Sequence, residues 1–129
     1  MAQRISTIIK LDVGGTIFKT SLSTLTRYEG SMFAAMFSGR HPLVPDENGC
    51  YFIDRDPEPF RYILEFLRCG SEPMPVEIPA EDMRVVLREA EFYGLRSIME
   101  KSVVCKAKRT ANDGQFVRMC QQRVPLFLY

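Results

Sequence analysis

Residues 50–70 read CYFIDRDPEPFRYILEFLRCG and predict a strand that is followed directly by a helix. The first part is rich in aromatic and β-branched residues, which favour strands. Because side chains alternate along a strand, we expect Tyr51 and Ile53 on one face, with Phe52 and Asp54 on the other. The segment therefore places one strand of a sheet immediately before the charged turn DRDP.

The helix after this turn is marked at both ends. Asp56 is a favoured N-cap residue, Pro57 takes the first helical position, and Gly70 follows the last turn. Apolar residues then recur at intervals of three and four, which predicts one buried face. The residues of that face are Phe60, Ile63, Leu64 and Leu67.

Upstream, residues 7–20 read TIIKLDVGGTIFKT and predict a β-hairpin. Its two apolar runs meet at Gly14 and Gly15, and a glycine pair accepts the positive φ angles of a tight turn. A phosphate-binding loop is the functional alternative, but neither a Lys-Ser/Thr pair nor a third spaced glycine is present. The glycines therefore favour a turn.

Two short helices are predicted between the hairpin and the strand. Ser21 or Ser23 can cap the first, which extends to Tyr28, and Ser31 can cap the second, which Gly39 closes. The apolar face of the second helix either packs in the core or forms part of a partner-binding groove. That face consists of Met32, Phe33, Met36 and Phe37.

Two further helices are predicted after the proline-rich connector SEPMPVEIP at residues 71–79. The first begins at residue 80 and is terminated by Gly94. Residues 95–109 continue as a last helix. The inward residues are Met83, Val86, Leu87 and Ala90 in the first, and Leu95, Ile98, Met99 and Val103 in the second.

The chain carries 17 Lys and Arg residues against 16 Asp and Glu residues, for a net charge of +1 over 129 residues. The charge is divided unevenly: residues 1–100 have a net charge of −4, and residues 101–129 have +5 and end in an apolar run. The overall balance argues against a nucleic-acid-binding protein, and no apolar run reaches the about 20 residues that span a bilayer. We therefore expect a cytoplasmic or nuclear protein, with neither nucleic acid nor a membrane as its partner.

No pattern in the sequence predicts a catalytic or metal site. His41 is the single histidine, and the four cysteines lie far apart without a Cys-x-x-Cys pair. Asp54 and Asp56 could act as paired carboxylates, but Arg55 between them makes ion pairing the better interpretation. We expect no enzyme, no cofactor and no zinc ion, which leaves binding or assembly as the leading class of function.

Taken together, these motifs resemble the BTB/POZ domain of the potassium-channel tetramerisation, or KCTD, type. The resemblance rests on LDVGGTIF, SMFAAMFSG, YFIDRDPEPFRYILEFLRCG and EAEFYGL in this order. It implies an α+β fold in which about five to six helices flank a small three-stranded mixed sheet. Since it covers residues 7–105, we expect a BTB/POZ domain at 1–105 and a basic, apolar-ended C-terminal extension at 106–129.

The resemblance also implies a ring of identical subunits, with a pentamer favoured over a tetramer. Subunits of a ring meet through two different patches, so opposite charges on opposing sides of each subunit support the contact. We assign to this contact the charged residues around the hairpin, the strand and the helix start, with ion pairing inside one chain as the alternative. They are Asp12, Asp54, Arg55, Asp56, Glu58 and Arg61.

Many members of the family are adaptors that hold cullin-3 and present a substrate to a ubiquitin ligase. By resemblance, cullin-3 would contact the end of the Met- and Phe-rich helix and the end of the helix that closes with EAEFYG. The residues at those positions are Met36, Phe37, Ser38, Gly39, Phe92 and Tyr93. The alternative is a cullin-independent homo-oligomerisation module that assembles a receptor, channel or transcription-related partner complex.

Overall fold

The computed structural model of the chain describes residues 7–40, 42–69 and 76–106. The predictions made for His41, Gly70, Cys120 and the extension beyond residue 106 lie outside these residues. In chain order the elements are β1 (Ile8–Val13), β2 (Thr16–Ser21), α1 (Leu22–Leu25), α2 (Met32–Met36), β3 (Cys50–Ile53), α3 (Pro57–Cys69), β4 (Glu77–Pro79), α4 (Ala80–Phe92), α5 (Arg96–Ser102) and β5 (Val104–Lys106).

Three strands form a mixed sheet in the order β2-β1-β3. β1 pairs with β2 in antiparallel fashion and with β3 in parallel, and the turn between β1 and β2 has positive φ at Gly14 and Gly15. Within the described residues, the predicted hairpin and the α+β architecture with a small three-stranded mixed sheet and five helices are confirmed. The inward face of this sheet buries Ile9, Leu11, Val13, Phe18 and Ile53 against the helices.

The helices meet in an aromatic cluster at the centre of the core. Phe33 of α2, Phe60 of α3 and Tyr93 after α4 are fully buried. The Tyr93 ring centroid lies 5.2 Å from the centroids of both phenylalanines. The predicted buried residues of α3 and α4 are confirmed, so the C-terminal end of α4 is anchored to the same core as the sheet.

The predicted caps of the two short helices are confirmed, but both helices are shorter than expected. The Ser21 and Ser31 hydroxyls accept hydrogen bonds from the backbone N–H groups of Thr24 and Ala34, each at 3.2 Å. α1 ends at Leu25 instead of Tyr28 because Thr26 leaves the helical conformation, with φ −99° and ψ 14°. α2 ends at Met36, before the predicted closing position at residue 39.

Residues 104–106 form a strand, so the prediction that the last helix continues to residue 109 is wrong at this point. β5 pairs in parallel with β4, where Ile78 lies opposite Cys105 and both side chains are buried. The backbone N–H of Val104 also donates to the carbonyl of Val76 at 3.0 Å. Adjacent valines favour an extended chain, and burial of Cys105 against β4 favours it further.

Candidate protein-interaction site

The DRDP turn, residues 54–57, is held against the tip of the β1–β2 hairpin. The Ile53 carbonyl accepts hydrogen bonds from the backbone N–H groups of Gly14 and Arg55, each at 2.9 Å. A Cβ atom on Gly14 would lie 2.3 Å from the Arg55 carbonyl oxygen, which is closer than a carbon atom can approach. Only glycine at this position allows the two backbones to come so close.

From this turn the Arg55 side chain reaches α4 and forms an ion pair with Glu89. Arg55 Nε donates to Glu89 Oε1 at 3.0 Å, and Arg55 Nη2 donates to Glu89 Oε2. This hydrogen bonding raises the pKa of Arg55 above its ordinary value. Arg55 therefore pairs with the buried Glu89, and the expected ion pair with the flanking aspartates is not found among the described residues.

The ring of Phe92 lies directly beneath the Arg55 guanidinium. The Arg55 Cζ atom is 4.3 Å from the ring centroid, and 44% of the Phe92 surface remains exposed. A guanidinium stacked on an aromatic ring contributes about 0.5–1 kcal/mol at an exposed site. Arg55, assigned to the subunit contact, and Phe92, assigned to cullin-3, are thus neighbours in one cluster.

Tyr93 points the other way and belongs to the core. It is fully buried, and its ring is nearly perpendicular to that of Phe92, with the two centroids 5.0 Å apart. Burial, followed by the charge of Glu89, raises the pKa of the Tyr93 hydroxyl well above its ordinary value. The Tyr93 side chain therefore has no exposed surface in this structure, and its assignment to cullin-3 stays a prediction.

We expect Tyr93→Phe to raise the free energy of unfolding by about 1 kcal/mol near neutral pH, because the buried hydroxyl has no hydrogen-bond partner among the described residues. The unfolded chain releases the Tyr93 proton at about pH 10, whereas the folded chain holds it to higher pH. The stability of the wild type should therefore fall above that pH, and the advantage of the variant should widen. Urea unfolding at pH 7 and at higher pH measures both effects; a less stable variant at both values would contradict this account.

The other predicted cullin-3 residues lie around the end of α2. Phe37 is buried and meets Tyr51 with ring centroids 5.3 Å apart, Met36 is half-buried, and Ser38 and Gly39 are exposed. The end of α4, in contrast, is fixed to the beginning of α2, where the Met32 N–H donates to the Tyr93 carbonyl at 2.8 Å. The five residues of α2 separate its two ends by about 7.5 Å. The predicted cullin-3 residues therefore form two groups, with Phe92 and Tyr93 near the start of α2 and residues 36–39 at its end.

The charged residues assigned to the subunit contact gather at the hairpin-tip end of the sheet and the start of α3. Several have a structural role inside the chain: Asp12 accepts from the Gly15 N–H at 2.8 Å, and Asp56 caps α3 by accepting from the Glu58 N–H at 3.0 Å. Glu58 and Arg61 approach within 3.9 Å, and Asp54 is exposed. Ion pairing within one chain was the alternative to a subunit contact, and it is clearest for Arg55, which pairs with Glu89.

Sequence reasoning missed an exposed surface on the outer side of the sheet, which we call the sheet face and define as Lys10, Ile17, Lys19 and Phe52. Ile17 and Phe52 flank Asp12 in one row across the strands, and 53% and 60% of their surfaces are exposed. Lys10 and Lys19 oppose each other in the next row. The alternation of side chains along the strand predicted that Phe52 lies on this side of the sheet. It could not predict that Phe52 stays exposed among the described residues.

A second surface is an acidic groove of about 400 Å³ between α3 and α4. The Tyr62 hydroxyl donates to Asp82 Oδ2 across it at 3.4 Å, and burial together with this carboxylate raises the pKa of Tyr62. Val85 supplies an exposed apolar side chain. The acidic groove is lined by Asp56, Glu58, Pro59, Arg61, Tyr62, Asp82, Val85 and Val86.

The described residues bring together no group of three or more His, Cys, Asp or Glu side chains that could hold a metal ion. None of the helices within residues 7–40, 42–69 and 76–106 has both the length and the apolar character needed to cross a membrane. The surfaces with distinctive chemistry in these ranges are the Arg55–Phe92 cluster, the sheet face and the acidic groove.

Comparison with known proteins gives a consistent result. The family model for the BTB/POZ domain matches residues 9–103. The chain is 46% identical over 92 residues to the BTB/POZ domain-containing protein KCTD21 of Mus musculus and to that of Homo sapiens, covering 71% of this chain and 35% of each relative. It is 37% identical over 107 residues to human BTB/POZ domain-containing protein KCTD3, covering 83% of this chain and 13% of that protein. The chain thus spans about a third or less of the length of these relatives.

Proposed function

The chain belongs to the BTB/POZ domain family, and we propose that it is a homo-oligomeric adaptor that binds cullin-3 and presents a substrate to a ubiquitin ligase. Its relatives place it among the KCTD-type domains, which are generally oligomerisation and adaptor modules. The observation that carries the cullin-3 proposal is the exposed ring of Phe92, supported by Arg55 on one side and the buried Tyr93 on the other. Aromatic residues on a rigid support are frequent anchors of protein interfaces.

For self-association, we propose that the sheet face of one subunit packs on the acidic groove of the next. The sheet face presents Lys10 and Lys19 beside Asp12 and Asp46, and the groove has an excess of carboxylates, Asp56, Glu58 and Asp82 against Arg61. The complementarity that we propose is between the two lysines and this excess of carboxylates. Each surface also has exposed apolar side chains. A contact between two unlike patches repeats around an axis and closes into a ring where its rotation fits a whole number of subunits. We propose such a ring, with a pentamer favoured over a tetramer.

Charge reversal tests this contact. We expect the face variant Lys10→Glu/Lys19→Glu and the groove variant Glu58→Lys/Asp82→Lys each to form smaller species than the wild type in light scattering at micromolar concentration, because each creates a like-charge contact. Mixed in equal amounts, the two variants should assemble again, since each mutated surface now faces a complementary one. Assembly of either variant alone at the wild-type size would contradict the contact.

The mixture also reports on the number of subunits. Two variants can alternate completely only in a ring with an even number of members, so a five-membered mixed ring keeps at least one like-charge contact. If the wild type is a pentamer, we expect the mixture to form even-numbered or open assemblies instead. A wild type that remains a monomer would remove the ring from the proposal.

The cullin-3 part is tested by titrating the wild-type chain with the cullin-3 N-terminal domain in isothermal calorimetry. Saturable binding by the assembled chain is expected. No binding by an assembled wild type would favour the cullin-independent module, in which the ring presents an attached region to a receptor, channel or transcription-related partner. The burial of Phe37 and Tyr93, two of the six predicted contact residues, is the observation that supports this second candidate.

A further inference from the structure

We propose that Arg55 is a positioning residue for partner binding: oriented by Glu89, its guanidinium holds the Phe92 ring in the orientation that a partner contacts. The inference rests on the proposed function, because it describes how the surface assigned to cullin-3 is built. It also changes the role of Arg55, which the sequence places in the contact between subunits.

Glu89 determines the orientation of the guanidinium by pairing with its Nε–Nη2 edge. Both carboxylate oxygens accept from Arg55, one from Nε and one from Nη2, and a bidentate pair of this kind fixes the plane of the guanidinium. Only 9% of the Glu89 side chain is exposed, so this carboxylate has little freedom to follow a displaced arginine. The backbone of Arg55 is fixed as well, because its carbonyl packs against Gly14.

The Phe92 ring therefore contacts two neighbours that are themselves held in place, Arg55 by its ion pair and Tyr93 by burial. One is the guanidinium, 4.3 Å from its centroid, and the other is the ring of Tyr93, which meets it at an interplanar angle of 85°. Phe92 is the last residue of α4, where a side chain without such contacts would populate several rotamers. Holding one rotamer before binding reduces the conformational entropy that a partner contact removes.

The same geometry indicates what chemistry the surface accepts. Glu89 occupies Nε and Nη2, and Nη1 has no hydrogen-bond partner among the described residues, while 32% of the Arg55 side chain is exposed. A free N–H donor thus lies beside an exposed aromatic ring. This combination fits a partner segment in which an apolar side chain is flanked by a carboxylate or carbonyl oxygen.

The test compares Arg55→Lys with Phe92→Ala and with the double variant, in titrations with the cullin-3 N-terminal domain. Lysine keeps a positive charge beside the buried Glu89, but its ammonium group can neither form the bidentate pair nor stack flat on the Phe92 ring as a guanidinium does. We expect Arg55→Lys to weaken binding about 5-fold when Phe92 is present and clearly less in the Phe92→Ala background, where only the direct contact of the Nη1 donor is altered. Arg96→Lys is the matched control, because Arg96 also pairs with a nearly buried carboxylate, Glu100, at 2.8 Å.

A second measurement does not depend on cullin-3: NMR of chains with labelled phenylalanine rings reports whether Phe92 keeps one χ1 rotamer. We expect one χ1 rotamer of Phe92 in the wild type and averaging over several rotamers in Arg55→Lys. If the lysine variant is poorly folded, Glu89→Gln serves instead, and it should shift the Phe92 signals in the same direction. If the wild type does not bind cullin-3, the proposed function is wrong, and the rotamer measurement alone decides the positioning role. Unchanged Phe92 signals in both variants, or binding losses that simply add, would overturn it.

Discussion

Replacing Phe92 with alanine is expected to weaken binding of the cullin-3 N-terminal domain by at least about 30-fold, the effect typical of a central aromatic anchor in a protein interface. The ring is the large apolar side chain exposed at the end of α4, and alanine removes the surface that a partner would bury. The loss should appear in calorimetry with no change in the size of the assembly, because Phe92 lies in neither the sheet face nor the acidic groove.

Arg84→Ala provides the control for this experiment. Arg84 is exposed on the same helix, about two turns before Phe92, and its removal should leave the dissociation constant within about 2-fold of the wild type. Thermal unfolding of both variants checks that the fold is retained. If the wild type binds and Phe92→Ala binds equally well, the cullin-3 surface lies elsewhere on the domain.

The second large effect is expected at Gly14, where alanine should reduce the free energy of unfolding by about 3 kcal/mol. Its Cβ atom would lie 2.3 Å from the Arg55 carbonyl oxygen and 3.1 Å from Pro57 Cδ, so the hairpin tip and the DRDP turn must move apart. The backbone at Gly14 also has a φ of 56°, which adds strain for a residue with a side chain.

Gly15→Ala separates the clash from the strain. Gly15 has a φ of 101°, but a Cβ atom there would meet no atom within 4 Å. We expect this variant to lose only about 1–2 kcal/mol in urea unfolding, the contribution of the positive φ alone. A Gly15→Ala protein that is destabilised as much as Gly14→Ala would show that close packing against the turn contributes little.

Local signals in the sequence were sufficient for most of the fold. The glycine pair of the hairpin, the serine caps of α1 and α2, and the Asp56-Pro57 start of α3 each act over a few residues, and all are present as predicted. β5 was missed because a strand of three residues depends on its pairing with β4, which precedes it by more than 20 residues. The helical spacing of apolar residues continues up to this segment, and it favoured a helix over the strand that forms.

The candidate site was less predictable, since its key contact joins residues 34 apart in the chain. No local pattern connects Arg55 to Glu89. One signal was available for the pair at the end of α4: Tyr93 lies three residues after the buried Ala90 and thus continues the buried stripe, whereas Phe92 does not. The distinction between a core tyrosine and an exposed phenylalanine therefore follows from the helical period.

The parallel pairing of β1 with β3 bears on the order in which the domain folds. The β1–β2 hairpin is local and can form within about 1–10 μs, whereas Lys10 meets Cys50 only after a long loop carrying β2, α1 and α2 has closed. Arg55 lies two residues after the end of β3, and its partner Glu89 lies still further along the chain. We therefore expect the surface around Phe92 to form after the hairpin, so that a partially folded chain with an intact hairpin would not present it.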